Sequence, residues 1–194
     1  MATDFNKAQI LDNLKILSEW LSVKYPNDTF NLVVVGGAAM ALDEFKDQTK
    51  DIDLLLPEIL PAALKEGISN VSRAKKLPPE WISTNAANIF KKLKLSKGLP
   101  EYFNEISRTI EIGDNLKITL IGRQALICMK LLASTPSYTK HTDDLKSLNP
   151  RKKEIEEAVR FVLSVDNDEL RREDLRIVLK AIGFDFDELT GNNK

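Results

Sequence analysis

The chain has 194 residues, 43% of them hydrophobic and 29% charged, enough for one ordinary domain or two small ones built around a true core. Twenty-eight basic against twenty-nine acidic side chains give a formal charge of -1, which excludes a surface that attracts polyanions throughout and leaves only a local basic patch for nucleic acid. The single cysteine, Cys128, excludes a disulfide framework or a Cys-rich zinc site and fits a reducing compartment. No basic, apolar leader is visible at Met1 to Lys7, and the longest apolar run, the eleven residues Leu32 to Leu42, is well short of the roughly 20 that span a bilayer. These features predict a cytoplasmic protein with no membrane contact.

In chain order, Ile10, Leu14, Leu17 and Leu21 recur at helical spacing, predicting an amphipathic helix over Phe5 to Tyr25 that stops at Pro26-Asn27-Asp28. Leu32 to Val35 is a short, β-branched run, the pattern of a strand buried on both faces, broken by Gly36-Gly37. Ala38 to Phe45 predicts a short helix. Asp51-Ile52-Asp53-Leu54-Leu55-Leu56 follows, where alternation sets both aspartates on one face of a second strand. Pro61 to Gly98 reads as helical with an interruption at Pro78-Pro79. Thr109 to Ile112 and Leu116 to Ile121 flank Gly113-Asp114-Asn115, a hairpin signal. Gln124 to Ala133 predicts a helix apolar nearly all round, and further helices fit Thr142 to Leu148, Arg151 to Val165 and Glu173 to Ile182. Asn149-Pro150 reads as a cap and first-turn pair, Gly183 as a helix stop.

The segment Leu32 to Leu56 carries the chemistry. Two carboxylates two apart on a strand repel each other unless a positive charge sits with them. Hard oxygen donors so spaced suit Mg²⁺, whose shell is completed by phosphate oxygens and water. Glycines at a strand-to-helix turn let backbone N–H groups approach a phosphate. Gly36-Gly37 with Asp51 and Asp53 therefore describe a site for a metal and a nucleoside triphosphate. There is no G-x-x-x-x-G-K-[ST] motif and no G-x-G-x-x-G after the first strand. Lys130 interrupts the apolar helix, where a buried ammonium is costly unless paired. It either snorkels to the surface or faces phosphate, with Asp144 on the next helix holding it.

Val33-Val34-Val35-Gly36-Gly37 and Asp51-Ile52-Asp53-Leu54 together resemble the signature of the nucleotidyltransferase superfamily, the DNA polymerase β-like fold. Leu77-Pro78-Pro79-Glu80-Trp81-Ile82, Met129-Lys130-Leu131-Leu132-Ala133 and Asp144-Leu145-x-x-Leu148-x-Pro150 narrow the likeness. With them the chain resembles small bacterial nucleotidyltransferase-like domains of unassigned function, relatives of the abortive-infection toxins of type IV toxin–antitoxin systems. The resemblance spans about Leu32 to Phe184. It implies an α/β (α+β) fold, a mixed sheet with flanking helices and a helical C-terminal half. The expected division is an N-terminal helix over 1–29, a nucleotidyltransferase-like core over 30–121 and a helical region over 122–194. The implied activity is Mg²⁺-dependent transfer of a nucleoside monophosphate from a nucleoside triphosphate to an RNA or protein acceptor, in the manner of a toxin with a cognate antitoxin. Asp51 and Asp53 would hold the metal, Gly36 and Gly37 the triphosphate, and Lys130 and Asp144 would belong to the active site.

One feature of the superfamily is missing. Its enzymes carry a third carboxylate on a later strand, and Leu116 to Ile121 has none; Glu111 on the adjacent strand is the nearest substitute, and His141 stands where many relatives have an acid three residues before Asp144. The alternative reading is accordingly a catalytically degenerate member that binds a nucleotide or a partner protein, as an antitoxin or a regulatory subunit. His141, the lone histidine, reads as a helix-start residue or a substrate contact, and Cys128 as a packed thiol. Arg73 to Lys97 holds seven basic residues and one acid, Glu80, against a net of -6 over Glu154 to Glu188. That basic segment is either a solvated helical face or a track for an RNA acceptor.

Overall fold

The computed structural model describes residues 4–93 and 98–191. The chain divides into two compact units, Met1–Lys92 with Ile106–Ile121, and Leu93–Glu105 with Gly122–Lys194.

The first unit begins with α1 (Lys7–Lys24), where Asn6 and Gln9 close a capping box at the helix start. Its predicted stripe of Ile10, Leu14, Leu17 and Leu21 is fully buried. Then come β1 (Phe30–Val35), α2 (Gly36–Leu42), β2 (Ile52–Leu56), α3 (Ala62–Lys75), β3 (Ile82–Ser83), α4 (Asn85–Lys92), β4 (Ile106–Glu111) and β5 (Leu116–Ile121). The strands form one mixed sheet in the order β3-β2-β1-β5-β4. β1 runs parallel to β5 and antiparallel to β2, β3 runs parallel to β2, and β4 antiparallel to β5. Phe30, Leu32, Val34, Ile52, Leu54, Leu116, Ile118 and Leu120 are buried and make one face of the sheet by strand alternation. Each fully buried side chain of this size contributes about 1.5–3 kcal/mol relative to its exposed state.

Two expectations are corrected in this unit. The short helix opens at Gly36, not Ala38, and ends at Leu42, not Phe45, because Glu44 takes a left-handed backbone (φ 64) that cannot continue it. The stretch Pro61 to Gly98 is not simply an interrupted helix. Trp81 is buried with its indole N–H donating to the Ile68 carbonyl at 3.2 Å, and its own carbonyl accepts from Ile52 N at 2.8 Å. That anchor lays Ile82 and Ser83 against Ile52 and Asp53 as an added strand.

The second unit contributes no strand to the sheet among its described residues, in keeping with the predicted helical C-terminal half. It contains a 3-10 turn (Glu101–Phe103), α5 (Arg123–Ala133), α6 (Lys140–Leu148), α7 (Lys152–Val165), α8 (Glu169–Ala181) and a short α9 (Phe186–Thr190). Asn149-Pro150 does not start α7. Asn149 sits in the left-handed region (φ 46) and ends α6, a conformation Asn tolerates, and α7 is capped by Arg151 with Glu154. α8 starts four residues before the predicted Glu173, at the side-chain cap Asp168, and ends as expected before Gly183 (φ 88). No helix among the described residues is long and apolar enough to cross a membrane.

Glu154 ties α7 and its N-cap to α5. It accepts from Arg123 Nε at 2.9 Å and from the Arg151 backbone N–H at 2.8 Å and guanidinium at 3.2 Å. Burial alone would raise its carboxyl, but these hydrogen bonds outweigh burial and hold it down at about 2. A carboxylate whose folded value lies below its unfolded one contributes stability above the unfolded value and loses it as pH falls toward the folded one. Glu154→Gln is therefore expected to lower stability by about 2–3 kcal/mol at pH 7, with the gap to wild type closing between pH 4.5 and 2. Urea unfolding across that range reads it, and a gap independent of pH would contradict it.

Candidate functional site

β1 delivers the chain to the Gly36 bend at one end of the sheet, and β2 returns beside it with Asp53 opposite Val35. Gly36 has φ +65, a conformation costly for any residue with a Cβ. A Cβ there would stand 3.4 Å from Asp53 Oδ2, so the bend and the carboxylate face each other across the space a side chain would fill. Asp53 Oδ1 accepts from Ser83 Oγ at 2.9 Å, and that hydroxyl oxygen accepts in turn from the Asn85 backbone N–H at 3.3 Å. Ser83 thus fixes the rotamer of Asp53, a role that sequence reading missed because its strand is two residues long. The local signal was a hydrophobic Trp81-Ile82 pair running into Ser83-Thr84-Asn85, a cluster suited to opening a helix.

Gly37 has a different reason to be glycine. A Cβ there would stand 2.5 Å from Thr49 Oγ1, a contact no real side chain makes. Thr49 pairs with Phe5 through both backbone hydrogen bonds and donates its hydroxyl to the Asp51 carbonyl at 3.2 Å. The absent side chain at 37 lets the segment leading into β2 pass against α2. Asp51 lies one residue before β2 and is half-buried.

The face of the sheet that carries Asp53 is the less buried one, with Asn31 and Val33 of β1, Lys117 and Thr119 of β5, and Thr109 and Glu111 of β4. On β5, the strand beside β1, the residue opposite Val33 is Thr119, whose hydroxyl lies 3.3 Å from that of Thr109. The carboxylate lacking in the sequence of β5 is not supplied by Glu111. Glu111 pairs with Lys117, which pairs with Asn31, at the Phe30 end of β1, whereas Asp53 is at the Val35 end. Four residues along the strands and three strands across place them roughly 19 Å apart. Among the described residues no group of three or more His, Cys, Asp or Glu side chains could hold a metal ion.

In the second unit Lys130 does not snorkel. It is 5% exposed and donates to Asp144 Oδ2 at 2.6 Å, Asp144 being 4% exposed. The end of α5 that carries Lys130 is held from α8, where buried Arg171 donates to the carbonyls of Leu131, Leu132 and Ser134 at 2.8–2.9 Å. Those carbonyls are the unsatisfied groups of a helix C-terminus, and a cation is their natural partner. His141 lies one residue into α6, its ring edge-on to Tyr138. Cys128 is buried, and burial pushes its thiol up to about 11, which leaves it protonated and unreactive at neutral pH.

Of the predicted basic segment, Lys94 and Lys97 lie outside the described residues. Arg73 and Lys75 end α3, Lys76 caps it in the left-handed region, and Lys91 and Lys92 end α4. Lys75 pairs with Asp12 at 3.1 Å and Lys91 with Glu58 at 3.7 Å.

Neither the curated proteins nor the solved structures contain a match to this chain. A family model described as "Nucleotidyltransferase of unknown function (DUF6036)" matches residues 12–149, a span that includes the Gly36 bend, Asp51, Asp53, Ser83, Lys130 and Asp144, and the chain belongs to that family.

Proposed function

We propose that the protein is a Mg²⁺-dependent nucleotidyltransferase that moves a nucleoside monophosphate from a nucleoside triphosphate to a hydroxyl of a macromolecule. The observation that carries this reading is the Gly36 bend, at φ +65, set against Asp53, whose carboxylate oxygen lies 3.4 Å from the position of the missing Cβ. A bend without a side chain at the start of a helix offers backbone N–H groups to a phosphate, and the carboxylate beneath it suits a hard cation. Asp51 and Asp53 would hold Mg²⁺; two carboxylates completed by phosphate oxygens and water are the coordination that ion favours. When bound, the ion supplies neutralisation of charge on the phosphate oxygens.

In the reaction the acceptor oxygen bonds to the α-phosphorus as the bond from that phosphorus to the bridging oxygen of the β-phosphate breaks. Pyrophosphate leaves with the bonding electron pair, and the hydroxyl proton passes to water. Asp53, its rotamer set by Ser83, would hold the cation at the bend, and the backbone at Gly36 would meet the triphosphate. The test uses the full chain, Mg²⁺ and total RNA with triphosphates labelled in turn on the α- and γ-phosphate. The expected result is α-label in macromolecular product and γ-label in pyrophosphate; γ-label in the product would make the protein a kinase and overturn the proposal.

A second reading is favoured by one observation: a threonine pair, Thr109 and Thr119, occupies the face where the superfamily's third carboxylate belongs. On that reading the protein binds a triphosphate without transferring any part of it. Triphosphate-dependent stabilisation with no label transferred to RNA or protein would decide for it.

A further inference from the structure

A cavity of about 450 Å³ opens between α3 and the junction of β3 with α4. Its wall includes Ser83, the same residue whose hydroxyl holds Asp53 at 2.9 Å. A molecule seated there lies one side chain away from the carboxylate at the Gly36 bend. The volume is within the usual 300–1,000 Å³ of a ligand site.

The chemistry of the wall selects the ligand. Lys65, Ser69 and Arg73 line it at four-residue spacing, which puts them on one face of α3. Lys65 and Arg73 are exposed and have no carboxylate partner among the described residues; Arg73 donates only to Asn70, at 2.8 Å. The cavity has a single acid, Glu80, so cations outnumber acids two to one. By contrast Lys75 and Lys91, elsewhere on the basic segment, are already paired. The two unpaired cations are separated by about 12 Å of helix, with hydroxyls between them, a span of two phosphate-to-phosphate steps, which suits a nucleic-acid strand better than one isolated carboxylate. Leu60, Ile68 and Ile82 add apolar surface, which gives a nucleobase a surface to lie against. The first turn of α4 begins at Asn85 on the same wall, and helix N-termini favour anions.

We propose that this cavity binds the backbone of a single-stranded nucleic acid and presents it as the acceptor beside Asp53. The proposal rests on the nucleotidyltransferase reading above and names the acceptor class for it. A strand lying along Lys65, Ser69 and Arg73 would place a nucleotide over the apolar surface, with Ser83 between it and the carboxylate.

The test measures binding of a fluorescein-labelled single-stranded RNA 12-mer by anisotropy at several salt concentrations. Lys65→Glu/Arg73→Glu reverses both cations at exposed positions, so the fold is retained. Lys15→Glu/Lys24→Glu on α1 makes the same charge change at exposed positions outside the cavity. The cavity pair is expected to weaken binding at least tenfold and to lower the salt slope by about 1.4, the value for two lost phosphate contacts. The α1 pair is expected to stay within threefold of wild type. Equal weakening by both pairs means diffuse charge attraction and overturns the proposal. Absence of RNA binding by the wild type also overturns it and leaves a protein hydroxyl as the acceptor class. Selective loss in the cavity pair together with no α-label transfer by the wild type would keep the strand-binding cavity and reject the nucleotidyltransferase reading, so the two fail separately.

Discussion

Replacing Asp53 by Asn is expected to cut transfer of an α-phosphate label by on the order of 10³-fold, while the melting temperature stays within a few degrees of wild type. The amide keeps the shape of the side chain, and its carbonyl oxygen still accepts from Ser83, the 2.9 Å bond that fixes the rotamer. What is lost is a negative charge at the Gly36 bend. A charge that neutralises phosphate through a bound cation is worth several kcal/mol in the transition state, and each 1.36 kcal/mol is a factor of ten in rate. Loss of transfer accompanied by a large fall in melting temperature would instead make Asp53 a structural residue of the β2–β3 pair.

The second large effect lies in the second unit. Lys130→Met removes the ammonium 2.6 Å from the Asp144 carboxylate and leaves that carboxylate in the interior, which typically costs 3–5 kcal/mol. In a chain of this size the melting temperature should fall by roughly 10 °C. Replacing both partners with apolar residues of similar volume, Lys130→Met/Asp144→Leu, should recover most of that loss, since a buried pair exchanged whole for well-packed hydrophobic groups is often neutral. A double variant that folds but does not transfer would give the pair a role beyond stability. Recovery of transfer along with stability would reduce the pair to a tie between α5 and α6.

Much of the fold could be read in the sequence wherever one element's own pattern was enough. β1 is a β-branched run too short for a helix, α1 shows a clean stripe of Ile10, Leu14, Leu17 and Leu21, and the hairpin is announced by Gly113-Asp114-Asn115. The bend with Asp53 opposite it was legible for the same reason, since a diglycine and an alternating acid pair are local signals. What escaped depends on pairing between distant segments. β3 is two residues long and exists only because Trp81 anchors it beside β2, so Ser83 carried no periodicity to find. The wrong end of the sheet for Glu111 follows from β5 running parallel to β1, with the Asn115 carbonyl accepting from Phe30 N at 2.7 Å, and no local pattern encodes that register. Asn149 deceived because a residue suited to capping the start of one helix is equally suited to the left-handed turn that ends another.

The reading of Gly36 and Asp53 as a nucleotide site is tested most directly by thermal unfolding of the wild type and of Asp53→Asn, with Mg²⁺ and each of the four ribonucleoside triphosphates. A ligand at a hundred times its dissociation constant stabilises by about 2.7 kcal/mol, or roughly 5–10 °C here. That rise is expected for the wild type with at least one triphosphate, as are its loss when Mg²⁺ is withheld and its loss in Asp53→Asn. Unchanged unfolding of the wild type with all four, or an equal rise in the variant, would contradict it.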